Sequence, residues 1–156
     1  MNVGQVMTRM VYSCQRSDSL NRAAQIMWEN DCGCVPVEDA DGKAIAMITD
    51  RDICMAAYTQ GLPLTEITVG SAASRTLHCV VESDSLTRAE LLMQRHRIRR
   101  LPVVDGDGRP VGILSMNDLA RHVRDVGSDV ELGAEAITRT LAFVCTPTSH
   151  TLHPVS

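Results

Sequence analysis

The sequence is poor in aromatic residues, with one Trp, one Phe and two Tyr among 156 positions. A reader of single-stranded nucleic acid needs stacking faces, and this composition supplies almost none. A surplus of positive charge is also missing. The net charge is −4, so nothing draws the chain as a whole to a phosphate backbone or an anionic membrane. No apolar run approaches the roughly 18 residues that cross a bilayer. Met1–Gln5 has no basic start followed by an apolar stretch, the pattern of an export signal. The expectation is a cytoplasmic protein without membrane attachment, and nucleic acid is an unfavoured partner. The chain has no P-loop, no G-x-G-x-x-G and no nucleophile elbow, and no base–nucleophile pair stands out. It reads as a non-enzyme.

The cysteines follow no ligand spacing. They stand at 14, 32, 34, 54, 79 and 145, and the one close pair, Cys32-Gly33-Cys34, is C-x-C with no second pair to complete it. Without an export signal they are expected as free thiols, most of them small buried apolar side chains, with Cys145 the exposed one. The histidines at 78, 96, 122, 150 and 153 have no partner at metal-ligand spacing. No metal site is expected.

What the sequence does contain is an internal repeat. A shift of 66 residues superposes 3–61 on 69–127 without a gap, with 17 identities in 59 pairs. Ser17-Asp18-Ser19-Leu20 recurs as Ser83-Asp84-Ser85-Leu86, Pro36-Val37 as Pro102-Val103, Asp41-Gly42 as Asp107-Gly108, and Asp52 as Asp118. Two copies of about 60 residues are too few for a solenoid. They imply two half-domains related by a pseudo-twofold axis.

Each copy follows the same order. A short opening segment leads to a strand near Tyr12–Gln15 or His78–Val81. Ser17 or Asp18 then caps a helix whose apolar positions are Leu20, Ala23, Ala24 and Met27. Cys34-Val35-Pro36-Val37 and Leu101-Pro102-Val103-Val104 are strands, and the Asp-Gly pairs are hairpin turns. After the returning strands, Thr49 or Ser115 opens a second helix that ends near Gly61 or Gly127. The fold class is α/β (α+β), with two β-α-β-β-α units over 1–66 and 67–127. Val130, Ala134, Ile137 and Leu141 predict a C-terminal helix over 128–143, followed by a flexible tail at 144–156.

The chemistry is carried by Thr49-Asp50-Arg51-Asp52 and Ser115-Met116-Asn117-Asp118. A hydroxyl residue ends an apolar strand, and a carboxylate follows three positions on. At a helix start, free N–H groups and the dipole favour a phosphate. The carboxylate, one turn in, suits the vicinal hydroxyls of a ribose. The competing interpretation is a capping box that satisfies helix N–H groups and binds nothing. One copy alone favours the cap, whereas two copies in register favour a binding role for at least one.

The repeat, the P-V-x-D-x-D-G strand pair and the Met47-Ile48-Thr49-Asp50-Arg51-Asp52-Ile53 string resemble tandem CBS domains, the pair often called a Bateman module. The resemblance covers about residues 1–127. The whole chain is similar to small stand-alone bacterial CBS pairs of the hypoxic-response type. It implies a regulatory module that binds AMP, ADP, ATP, NAD or S-adenosylmethionine in clefts between the repeats, with no covalent cofactor. Residue by residue, Asp52 and Asp118 would hold ribose hydroxyls, Thr49 and Ser115 would lie near ribose or phosphate, and Arg51 would meet a phosphate. Asn117 stands at the position of Arg51 in the second copy. Tyr12 and Cys14 with Val35, and His78 and Val80 with Leu101, would frame adenine through backbone groups. A homodimer through helix faces and an unidentified downstream protein complete the implied partners.

The copies are not equivalent. Residues 3–61 carry 5 basic and 8 acidic side chains, and residues 69–127 carry 9 and 7. Arg95-His96-Arg97-Ile98-Arg99-Arg100 is the densest basic run. It is either a solvated helix end or a phosphate clamp built on Arg99 and Arg100. With Gly112 where the first copy has Ala46, the Asp118 motif is expected to bind more strongly, unless the arginines of one repeat reach the cleft of the other. Two other function classes stay open: a ligand-free interaction protein, and a redox or metal sensor using Cys32, Cys34 and Cys79.

Overall fold

A computed structural model describes residues 1–9, 12–126 and 133–146. The first repeat forms strand β1 (Cys14–Gln15), helix α1 (Leu20–Glu29), strands β2 (Cys34–Glu38) and β3 (Ala44–Thr49), and helix α2 (Asp50–Gln60). A short helix α3 (Val69–Ala72) opens the second, followed by β4 (Val80–Val81), α4 (Leu86–His96), β5 (Arg100–Val104), β6 (Pro110–Ser115) and α5 (Met116–Val126). Helix α6 (Ala134–Cys145) closes the described chain. In each three-stranded sheet the first strand runs parallel to the second, and the third returns antiparallel. Cys14 stands opposite Val37 and Val80 opposite Val103, so the 66-residue shift repeats the strand register itself.

Local chemistry accounts for the elements, with two corrections to the sequence expectation. The first strands are two residues long, and Tyr12 and His78 precede them. The caps of α1 and α4 are Ser19 and Ser85, which accept the N–H groups of Arg22 and Arg88 at 3.3 and 3.1 Å. Asp18 and Asp84 instead turn back and accept the N–H groups of Gln15 and Val81 at 2.8 and 3.0 Å. A short carboxylate closing a turn onto its own backbone outcompetes the capping role. The hairpins form as expected. Asp39 and Asp105 each accept two turn N–H groups, and Gly42 and Gly108 supply φ near +80°.

The two cores do not follow the repeat boundary. Val3 and Met7 pack with Val80, Leu86, Met93, Leu101, Leu114 and Leu119 of the second repeat. Ile67 and Val69 pack with Leu20, Ile26, Val35, Val37 and Ile48 of the first. Fully burying each such side chain contributes about 1.5–3 kcal/mol. Hydrogen bonds follow the same exchange. Val3 and Gly4 donate to Asp84 and Glu82, while Val69 and Gly70 donate to Asp18 and Arg16. Thr8 pairs in both directions with Ile113, and Ser74 donates to Met47. Each opening segment therefore docks on the other repeat's sheet and crosses between the halves. This crossing accounts for Gly112, since a Cβ there would stand 3.0 Å from the Thr8 carbonyl oxygen and 2.7 Å from Met7 Sδ.

Helix α6 packs on α4 and α5, the helices of the second repeat only. Its buried face is Ile137, Thr140 and Val144, whereas Ala134 and Leu141 of the expected stripe are exposed. Val130 lies outside the described residues, and Val144 and Cys145, expected in the tail, are helical. The face is set by a polar contact, the buried Thr140 hydroxyl on the buried Glu90 carboxylate. The first repeat has Ala24 at the position of Glu90 and offers no such acceptor.

Candidate functional site

The crossing segments build two clefts between the repeats. In the first, of about 420 Å³, Thr49, Arg51 and Asp52 face Ser74 and His78, the Arg97–Arg100 loop, and Val144 of α6. In the second, of about 470 Å³, Ser115, Asn117 and Asp118 face Thr8 and Tyr12 with the Asn30–Cys34 loop. The 66-residue shift carries one lining onto the other: Thr8 onto Ser74, Tyr12 onto His78, Asp31 onto Arg97 and Gly33 onto Arg99. Each carboxylate thus faces both the crossing segment and the helix–strand loop of the opposite repeat.

Both motifs form capping boxes. Asp52 Oδ2 accepts the Thr49 N–H at 2.9 Å and its hydroxyl at 2.8 Å, and the Asp52 N–H donates back to Thr49 Oγ1 at 3.2 Å. Asp118 Oδ2 repeats this with Ser115 at 2.8, 2.6 and 3.2 Å. The second oxygens differ. Asp118 Oδ1 accepts the Thr8 hydroxyl at 3.3 Å and the Arg121 guanidinium, and its side chain is almost fully buried. Asp52 Oδ1 has no partner among the described residues, and Asp52 is half-buried. Two substitutions between the copies produce the difference. Arg121 corresponds to Met55, and the Ser74 hydroxyl at the position of Thr8 is engaged by the Met47 N–H at 3.0 Å.

Charge differs as strongly. Arg51, Arg97, Arg99 and Arg100 line the Asp52 cleft against Asp50 and Asp52. Arg100 and Arg121 meet Asp31 and Asp118 in the other. Arg97 and Arg99 therefore face the opposite repeat's carboxylate, the alternative the sequence left open, and Arg100 lines both clefts. Arg100 leans toward the axis, with a guanidinium nitrogen 3.2 Å from where a Gly33 Cβ would stand. Arg99 donates to Cys145 Sγ at 3.4 Å. His78 stacks on His96 with ring centroids 3.6 Å apart, and desolvation, then the charge of His96, holds its pKa below the ordinary value.

Of the proposed adenine-framing residues, Tyr12 and His78 line clefts. Cys14, Val35, Val80 and Leu101 do not. Their side chains are at most 3% exposed and belong to the two cores, so the expected role falls to their backbone groups. Thr8, Ser74, Asp31 and Arg121 are cleft residues that the sequence reading missed. The 66-residue register, read at Arg121 against Met55, was a usable signal for the last.

The cysteines are less buried than expected. Cys14 and Cys34 are buried, Cys32 is intermediate, and Cys54, Cys79 and Cys145 are exposed. Burial pushes the Cys14 thiol up to about 12 and the Cys34 thiol to about 11. Among the described residues no group of three or more His, Cys, Asp or Glu is placed to hold a metal ion. Among them, no helix is long and apolar enough to cross a membrane.

Two pseudo-equivalent half-domains, a crossing segment in each and a hydroxyl–carboxylate pair at each helix start define a class, and residues 3–58 and 69–125 match the family model of the CBS domain. The chain belongs to the CBS-domain family as a tandem pair. It is 32% identical over 130 residues to Hypoxic response protein 1 of Mycobacterium tuberculosis, covering 83% of this chain and 84% of that one. The crystal structure of Hypoxic Response Protein I with two coordinated zinc ions is 32% identical, with a TM-score of 0.68 over 78% of this chain and 98% of that chain. The structure of CBSX2 in complex with AMP is 25% identical, with a TM-score of 0.67 over 80% and 97%.

Proposed function

We propose that this chain is a regulatory module without catalytic activity that senses an adenosine-containing small molecule, AMP, ADP, ATP, NAD or S-adenosylmethionine, in a cleft between its repeats. Occupancy of the cleft is passed to a downstream protein in the cytoplasm. The observation that carries this reading is the Asp52 cleft. A carboxylate with one uncommitted oxygen stands one turn into a helix, across from an arginine loop and beside an imidazole. Ribose diol, phosphate and base each have a chemical counterpart there. Thr49 and Asp52 take the ribose, Arg51 and Arg99 the phosphate, and His78 stacks on the base. The AMP complex of CBSX2 supports the ligand class.

The partner proposed for the module is a second copy. Helix α6 covers the α4–α5 face, so the self-contact is confined to α1 and α2. There Trp28 and Tyr58 are 87% and 81% exposed, and Trp28 borders an open hollow of about 610 Å³ lined by Ala24, Met27 and Ile53 together with Asp31, Asp50 and Arg100. A patch of that kind on one face of each chain suits an isologous dimer. Mass spectrometry of small molecules released from freshly purified protein tests the sensing function, together with thermal shifts by the same compounds. A ligand at about 100 times its Kd stabilises by about 2.7 kcal/mol. No released nucleotide and no shift with any adenosine compound would favour a ligand-free interaction protein in which both carboxylates only cap helices.

A further inference from the structure

We infer that the two clefts have divided their roles: the Asp52 cleft binds one phosphate-bearing adenosyl ligand per chain, and in the Asp118 cleft the carboxylate is occupied by its own chain. The inference rests on the sensing function proposed above and assigns it a site and a charge class.

Three observations at equivalent positions lead there. The first is the carboxylate itself. A ribose diol needs a carboxylate oxygen that accepts its hydroxyls. Asp52 Oδ1 is uncommitted among the described residues. Asp118 Oδ1 already holds the Thr8 hydroxyl and the Arg121 guanidinium, and a ligand there would have to displace both. The second is loop charge. Arg97 and Arg99 contribute +2 to the Asp52 cleft alone, while the equivalent Asp31 and Gly33 contribute −1 to the other, and Arg100 lines both. Guanidinium forks favour phosphate oxygens, whereas Asp31 and Asp118 in the other cleft offset the charge of Arg100 and Arg121 there.

The third is backbone strain. Arg97 sits in the left-handed region at φ +54°, and its equivalent Asp31 at φ +49°. Asp adopts that conformation readily, but a long unbranched side chain does so at a cost, and glycine is the usual residue at such a helix C-terminus. A strained residue held at the rim of a cleft is where a stabilising substitution and a functional loss coincide. Arg97 thus marks the Asp52 cleft as the side at which a positive charge is retained against local backbone preference.

Calorimetric titration of the full chain with AMP and with adenosine tests the inference. AMP is expected to bind at one per chain and at least about tenfold more tightly than adenosine, the step that about 1.4 kcal/mol of phosphate contact produces. Arg99→Ala is expected to remove that advantage and leave adenosine binding unchanged, and Arg99→Lys to restore part of it. Arg97→Gly separates binding from folding. It is expected to raise Tm by about 2–4 °C through relief of the left-handed backbone while weakening AMP and not adenosine. Two equal sites per chain, no advantage of AMP over adenosine, or an advantage that survives both Arg99→Ala and Arg97→Gly would overturn the division of roles and leave the sensing function standing. Absence of binding by both compounds at millimolar concentration would overturn the two together.

Discussion

Replacing Asp118 by Ala tests how far a motif shared by both repeats has become structural in one of them. The carboxylate accepts four contacts: the Ser115 N–H and hydroxyl, the Thr8 hydroxyl, and Arg121. Loss of the reciprocal cap on α5 costs about 1 kcal/mol. The Thr8 contact joins the crossing segment to α5 in a part-buried setting, and since Thr8 is exposed, water replaces the lost acceptor, so the loss is about 1 kcal/mol. The Arg121 pair adds little, because the arginine is 61% exposed and solvent screens it. The total is about 2 kcal/mol, which for a chain of this length is a fall in Tm of about 4–8 °C. Asp52→Ala loses the cap of α2 alone, about 1 kcal/mol and 2–4 °C. Thermal melts by circular dichroism at one protein concentration and without added nucleotide measure both. Amide exchange should also rise around Thr8 in Asp118→Ala, since that contact is the side-chain tie between the crossing segment and α5. Equal losses for the two variants, or a larger one for Asp52→Ala, would refute the assignment of Asp118 as a saturated carboxylate.

Light scattering at micromolar concentration is expected to give twice the mass of a single chain, and Trp28→Ala with Tyr58→Lys to give the mass of one, because the apolar patch on α1 and α2 is then broken by a charge. Leu91→Lys, at an exposed position of α4, is expected to leave the dimer intact. Alkylation by iodoacetamide at pH 8 is expected at Cys54, Cys79 and Cys145, while Cys34, with its thiol near 11, holds about one thiolate in a thousand and stays unmodified in the folded protein. Mass mapping of the alkylated peptides reads the pattern, and fast modification of Cys34 would refute its burial.

The sequence by itself determined what is local or periodic. The 66-residue shift carries the element order, the strand register and the positions of the Asp-Gly turns, because each depends on spacing that a single copy already displays and the second confirms. The hydroxyl–carboxylate motif was legible for the same reason: a cap and a ribose contact need the same residues at the same interval. Only the tertiary structure decided between neighbours that spacing treats alike. Ser17, Asp18 and Ser19 are all cap residues, and the competition was settled by Asp18 turning back onto Gln15. The exchange of Val3 and Met7 for Ile67 and Val69 between the cores left no local trace, since either apolar segment fits either sheet. Its consequence is that Arg99 faces Asp52 across the pseudo-twofold axis and that Thr8 reaches Asp118. The face of α6 was likewise set by one long-range contact, Thr140 on Glu90, which outweighed the apolar stripe through Leu141. Identity of motif is written along the chain, whereas the occupancy of each carboxylate depends on side chains up to 110 residues away and exists only once the halves are packed.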